Sequence, residues 1–257
     1  MTLELPVGDV RPGATFGRYT VVCRAGANPH GAYYEAVHTG LQRRVALKVL
    51  PGCLAAMPEA AARFERAARV AASIRHRAVV DVSDLGDEHG VPYFVTEFLE
   101  GEDLATLLAR EGPMPFDRAA RLLIPVIEGI VAGHARGIAH RGICARHVFL
   151  ARRGEATQPT LLDFGLARFG RDAGALADDP QSAIADDQLA VGRLLAASVC
   201  SAPKAFEMLV ARATFEEPEG RFPSVLDLAE ALRALVSPEP CAGWSAREAV
   251  ASMVPSA

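Results

Sequence analysis

Apolar and polar positions alternate in short runs over the first third of the chain. FGRYTVVCRAG (16–26), AYYEAVHTG (32–40) and RRVALKVL (43–50) are rich in β-branched and aromatic residues and are punctuated by Gly-containing turns. That pattern predicts three successive strands. The Ala/Arg-rich stretch from Glu59 to His76 predicts a helix, and AVVDVSDLG (78–86) and VPYFVTEFLE (91–100) two further strands, the second ended by Gly101. From Asp103 onward the period becomes helical. In FDRAARLLIPVIEGIVAGHARG (116–137) apolar residues recur at Ala119, Leu122, Leu123, Val126, Ile127 and Ile130, and Pro125 should kink that helix. DDQLAVGRLLAASV (186–199) is apolar on most faces, which suits a helix in the centre of a lobe, and VLDLAEALRAL (225–235) is amphipathic. SPEPCAGW reads as a linker, and the tail to Ala257 as a loose helix. Strands with one main helix, then a mainly helical region, imply a two-lobed α+β architecture.

Composition narrows this little. The chain has 257 residues, 50% of them hydrophobic, enough for one larger domain or two small lobes. A formal charge of -4 points away from nucleic acid and anionic membrane surfaces. The five cysteines are scattered and never form a CxxC pair, so reduced thiols are expected rather than disulfides or a zinc site. MTLELPVGDV carries an acidic residue and no basic stretch, and no apolar run nears the ~18 residues of a membrane span. The expectation is a soluble, cytoplasmic protein without a membrane span.

Six features in order carry more weight than any of these. They are VALK (45–48), FVTEFLEGEDL (94–104), AHRG (139–142), LLDFGLAR (161–168), Asp187 in a buried helix, and RFPSVLDLAEAL (221–232). In this order the chain resembles the protein kinase fold, most closely bacterial Ser/Thr kinases of the eukaryotic type, over about Phe16 to Leu235. The resemblance implies a lead (1–15), a kinase-like domain (16–236) and a linker with a short tail (237–257). Within the domain, a β-rich N-lobe with one main helix covers about 16–97 and a mainly helical C-lobe about 98–236. It assigns nucleotide binding to Gly26, Gly31, Ala46, Lys48, Glu97, Leu99 and Asp163, and structural roles to His140, Phe164, Asp187 and Arg221.

The departures from the family pattern bear on function. In GANPHGAYYEA (26–36) the middle glycine is Asn28, followed by Pro29, which removes a backbone donor and fixes φ. Tyr33 stands where the family places a small branched residue above the adenine, so its ring could fill the nucleotide pocket; an ordinary β-turn is the competing reading of this stretch. Ala67 replaces the helix glutamate that partners Lys48, and Glu65 lies on another helix face. Asp163 then has two uses, holding magnesium or pairing with Lys48. His147 replaces the second magnesium ligand, although magnesium prefers oxygen donors. Gly142 replaces the aspartate that accepts the acceptor hydroxyl's proton, help typically worth ~10²–10⁴ in rate. Cys144 replaces the lysine that steadies the γ-phosphate, and no carboxylate occurs between Gly142 and Gly154. The stretch from Asp163 to Asp187 is short, lacks an APE motif, and ends in ADDPQSAIADD with Ser182 as its one hydroxyl. Arg221, which in relatives pairs with the APE glutamate, is expected to turn to Glu216, Glu217 or Glu219, or to solvent.

Two functions remain open at this point. One is a pseudokinase, acting through contacts with a signalling component or an active kinase. No cofactor is then expected, and ATP and Mg²⁺ bind weakly if at all. The other is a divergent Ser/Thr kinase that keeps ATP through Lys48 and Asp163. Trp244 in the tail is a candidate interface anchor or a side chain folded back on the helical lobe.

Overall fold

The computed structural model describes residues 10–28, 31–165 and 180–236. The lead up to residue 9, Pro29, residues 166–179 and the tail with Trp244 lie outside the described residues. Strands β1 (Thr15–Phe16), β2 (Tyr19–Asn28), β3 (Gly31–His38) and β4 (Arg43–Val49) are followed by α1 (Gly52–Ala55) and α2 (Pro58–Ser73). Strands β5 (Val82–Glu88) and β6 (Val91–Glu97) complete an antiparallel sheet in the order β1-β2-β3-β4-β6-β5.

Period-two alternation gives this sheet its two faces. Tyr34, Ala36, Val45, Leu47, Val49, Tyr93 and Val95 pack with Phe16, Tyr19 and Val21 on one of them. Phe94 on the other face packs with α2, whose Phe64, Ala67 and Ala68 recur at helical spacing. The Phe64 and Phe94 rings are 5.1 Å apart.

The second lobe begins with β7 (Gly101–Asp103) and α3 (Leu104–Glu111), capped by the Asp103 side chain accepting from the Thr106 amide. Then come β8 (Met114–Pro115), α4 (Phe116–His134), β9 (Val148–Arg153), β10 (Ala156–Leu161), α5 (Pro180–Ser198), β11 (Val199–Ser201), α6 (Lys204–Ala213) and α7 (Val225–Leu235). Leu123, Val126, Ile127 and Ile130 of α4 lie in one core with Val191 and Leu195 of α5 and Leu228 and Leu232 of α7. The helix continues through Pro125 as one element.

Among the boundaries that differ from the sequence pattern, three trace to specific contacts. The first expected strand breaks at Gly17, where φ is +55° and a Cβ would sit 2.4 Å from the Tyr93 hydroxyl. Helix α2 stops at Ser73, and the His76 ring instead accepts from the Ala78 amide at 3.2 Å. Ala78–Val80 is not strand, because this segment bonds to the second lobe: Val80 N donates to Leu161 O at 3.0 Å and Leu161 N to Ala78 O at 2.7 Å.

Arg221 corrects a further expectation. It is buried, and its guanidinium donates to three main-chain carbonyls: Phe215 O (2.7 Å), Ala185 O (3.0 Å) and Glu216 O (2.8 Å). A planar guanidinium fork carries enough N–H donors to serve several carbonyls at once. Glu216 takes part through its carbonyl. Arg221→Ala should leave these acceptors unsatisfied and lower stability by roughly 2–4 kcal/mol in denaturant titration, with Arg221→Lys recovering only part of the loss.

Candidate functional site

Register places three side chains in a row. Tyr33 on β3 pairs with Lys48 on β4, and Lys48 with Phe94 on β6. Directly opposed residues project to the same face, here the face turned toward α2 and the cleft. The Lys48 ammonium lies 4.4 Å from the centroid of the Tyr33 ring and 5.9 Å from that of Phe94. Lys48 is 1% exposed, and its Nζ is 2.6 Å from Asp163 Oδ1 and 2.6 Å from the Tyr33 hydroxyl. The same hydroxyl donates to Asp163 Oδ2. Lysine, phenol and carboxylate thus form a closed ring of charge-assisted bonds. Burial alone would raise the Asp163 pKa, but the Lys48 ammonium, with help from Tyr33, holds it down to about 2. Burial pulls Lys48 below the ordinary lysine value, and Asp163 opposes that pull. Ala67 is buried on α2 with no carboxylate to offer, and Glu65 pairs outward with Arg69.

The loop around Gly142 is built on Asp187. Its carboxylate accepts from the His140 amide at 2.6 Å and the Arg141 amide at 2.7 Å, and lies 2.9 Å from His134 Nε2. Arg141 is left-handed, with φ of +68°, a conformation these bonds stabilise. The buried His140 ring stacks near Phe164 at 4.9 Å and uses Nε2 toward Leu162 O at 2.9 Å. Phe164 in turn fits against Gly133, where a Cβ would sit 2.4 Å from the ring. His147 bridges what remains of the loop. Its Nδ1 donates to Gly142 O at 2.5 Å and lies 3.6 Å from the Cys144 sulfur, while Nε2 is 3.8 Å from Asp163 Oδ2. Burial disfavours the His147 imidazolium, yet Cys144 and Asp163 hold its pKa above the usual value.

The connection between the sheets carries contacts that local sequence did not signal. Glu97 binds Arg153, and Arg44 pairs with Glu35 and Glu100 at 2.7 Å each while lying 4.3 Å above the Phe98 ring. Ala46 and Leu99 are half-buried nearby. His134 was likewise missed, because its partner Asp187 lies 53 positions away in the chain.

The family description "Protein kinase domain" matches residues 19–182. The chain belongs to the protein kinase family. Among curated proteins it is 40% identical over 152 residues to the serine/threonine-protein kinase pkn2 of Myxococcus xanthus, covering 59% of this chain and 18% of that protein. It is 34% identical over 151 residues to the serine/threonine-protein kinase PknL of Mycobacterium tuberculosis, covering 59% of this chain and 37% of that protein. The chain therefore spans well under half the length of these relatives. The crystal structure of the Mycobacterium tuberculosis PknI kinase domain superposes with a TM-score of 0.70 at 26% identity, covering 88% of this chain and 99% of that one. The family is that of bacterial eukaryotic-like Ser/Thr kinases, and the fold is the two-lobed α+β kinase fold. No helix among the described residues is long and apolar enough to cross a membrane.

Kinases of this family use ATP and Mg²⁺, and in this structure the lysine and carboxylate that such a pair would meet are bonded to each other and to Tyr33. Both Asp163 oxygens are engaged, and the neighbouring donor is an imidazole, whereas magnesium takes oxygen ligands. Strands β2 and β3 stay paired up to Asn28 and Gly31, and a Cβ on Gly31 would lie 3.3 Å from Lys48 Cε. The glycine stretch is thus strand-paired as far as Asn28 and Gly31, with Gly31 close against Lys48.

Acid should weaken this domain over two pH windows. Burial pushes the His140 pKa down to about 4, against ~6.5 in an unfolded chain. Between those values the unfolded chain binds a proton that the folded chain refuses, so the His140 contribution to stability is full above about pH 6.5 and falls toward pH 4. The loss is on the order of 3 kcal/mol. Asp163, at about 2, adds a second loss between about pH 4 and 2, because its depressed pKa stabilises only the ionised form. Melting temperature measured from pH 7 to 4 should decline, and His140→Phe should flatten that limb.

Proposed function

We propose that this kinase-family domain acts as a pseudokinase, a signalling scaffold or allosteric regulator working through contacts with protein partners. The observation that carries this reading is the employment of the carboxylates around Gly142. Asp187 is committed to the His140 and Arg141 amides, and Asp163 to Lys48 and Tyr33. Neither is free to take a proton from an acceptor hydroxyl, and Gly142 offers no side chain. Phosphoryl transfer depends on positioning and charge, and the groups that would position phosphates are bonded to one another.

The second reading is a divergent Ser/Thr kinase that retains ATP through Lys48 and Asp163. The kinase names of the curated relatives weigh toward it, and more heavily than they weigh toward lost catalysis. Retention of Lys48 and Asp163 within bonding distance supports it as well.

Incubation of the full chain with γ-labelled Mg-ATP and a generic protein acceptor separates the two. The pseudokinase reading expects no transfer above the level of Lys48→Ala and Asp163→Ala. Transfer by the wild type that disappears in both variants establishes the kinase reading instead.

A further inference from the structure

We propose that Tyr33 is an internal ligand of the phosphate site, and that a triphosphate nucleotide gains Lys48 only when this phenol swings out of the cleft. The inference concerns access and holds under either reading above. Its basis is the position of one oxygen. The Tyr33 hydroxyl accepts from Lys48 Nζ at 2.6 Å and donates to Asp163 Oδ2. It therefore meets the ammonium that the family uses for phosphate and the carboxylate it uses for the metal. An entering polyphosphate needs the same two partners, so phenol and nucleotide compete for one set of bonds.

Register makes the competition local. Tyr33 is the direct cross-strand neighbour of Lys48, and its ring lies against the ammonium at 4.4 Å. The phenol's share of that competition therefore turns on one side chain, while the Lys48–Asp163 ion pair joins the two lobes. The ring also closes a small apolar cavity lined by Ala67, Phe94, Thr96 and Phe164. That cavity measures about 20 Å³, room for about one water, so as it stands it holds no space for the phenol. The ring therefore leaves toward the open side of the cleft. Tyr33 is half-buried and lies two residues beyond Gly31, at the start of β3, where the strand emerges from the hairpin connection.

A binding-competent fraction of one in ten or less lowers apparent affinity at least tenfold. The test is titration of the full chain with a fluorescent ATP analogue in Mg²⁺, alongside thermal melts with and without Mg-ATP. Tyr33→Val should bind at least tenfold more tightly than wild type, and the gain should vanish in Tyr33→Val/Lys48→Ala. Tyr33→Phe keeps the ring and removes the competing oxygen, so its affinity should fall between the two. Equal affinity of wild type and Tyr33→Val, including no binding by either, overturns the proposal. So does a gain that survives Lys48→Ala. Should Tyr33→Val show no cooperative melt, the folded Tyr33→Phe decides, and affinity equal to wild type overturns the proposal. These readouts are binding alone, so they stay independent of whether phosphate is ever transferred.

Discussion

A lysine that is 1% exposed cannot remain charged without a counter-charge, and the rest of this site follows from how Lys48 meets that demand. The helix that would ordinarily supply a carboxylate presents Ala67. The counter-charge comes instead from Asp163, 115 positions further along the chain and in the other lobe. One buried ion pair therefore ties the sheet to the helical region. A pair this deep is stable only if its remaining hydrogen-bonding capacity is used. The Tyr33 hydroxyl uses it on both partners at once.

The remainder of the cleft is organised to hold Asp163 at that point. Asp163 itself is left-handed, with φ of +61°, followed by Phe164 seated against Gly133 and His140. His140 is positioned by its amide bond to Asp187, and its ring nitrogen reaches the carbonyl of Leu162, next to Asp163. These contacts need main-chain groups, a buried carboxylate and aromatic packing. None of them needs a carboxylate at position 142. The shape of the loop therefore rests on groups other than the residue at position 142, so fold and chemistry are separable here.

Much of this was legible before any coordinates. Alternation in AYYEAVHTG and RRVALKVL located β3 and β4, and the apolar spacing of 116–137 located α4, because these patterns report local backbone geometry. The candidate partnership of Lys48 with Asp163 could be named from the motif order and the absence of a helix glutamate. Arg221 could not be resolved in this way. Nearby glutamates were the obvious partners by sequence distance, yet it binds carbonyls of Phe215, Glu216 and the remote Ala185. Main-chain carbonyls occur at every residue and leave no signature in side-chain identity. The pairing of Glu97 with Arg153 and of His134 with Asp187 escaped for a related reason: both join segments more than fifty positions apart.

The order of motifs and the periodicities were enough to point to the family and the two-lobed architecture, and the resemblance sets Gly142 where the family pattern has an aspartate. The resemblance set Tyr33 where the family has a small branched residue and left an ordinary β-turn as the competing reading. Only the tertiary structure shows which groups its hydroxyl meets. Cross-strand register puts its ring beside Lys48, and the approach of the two lobes brings Asp163 within reach of its hydroxyl. Period-two patterning can say which face a side chain occupies. The meeting of a phenol, an ammonium and a carboxylate at one point depends on distances across the cleft, which exist only once both lobes have folded.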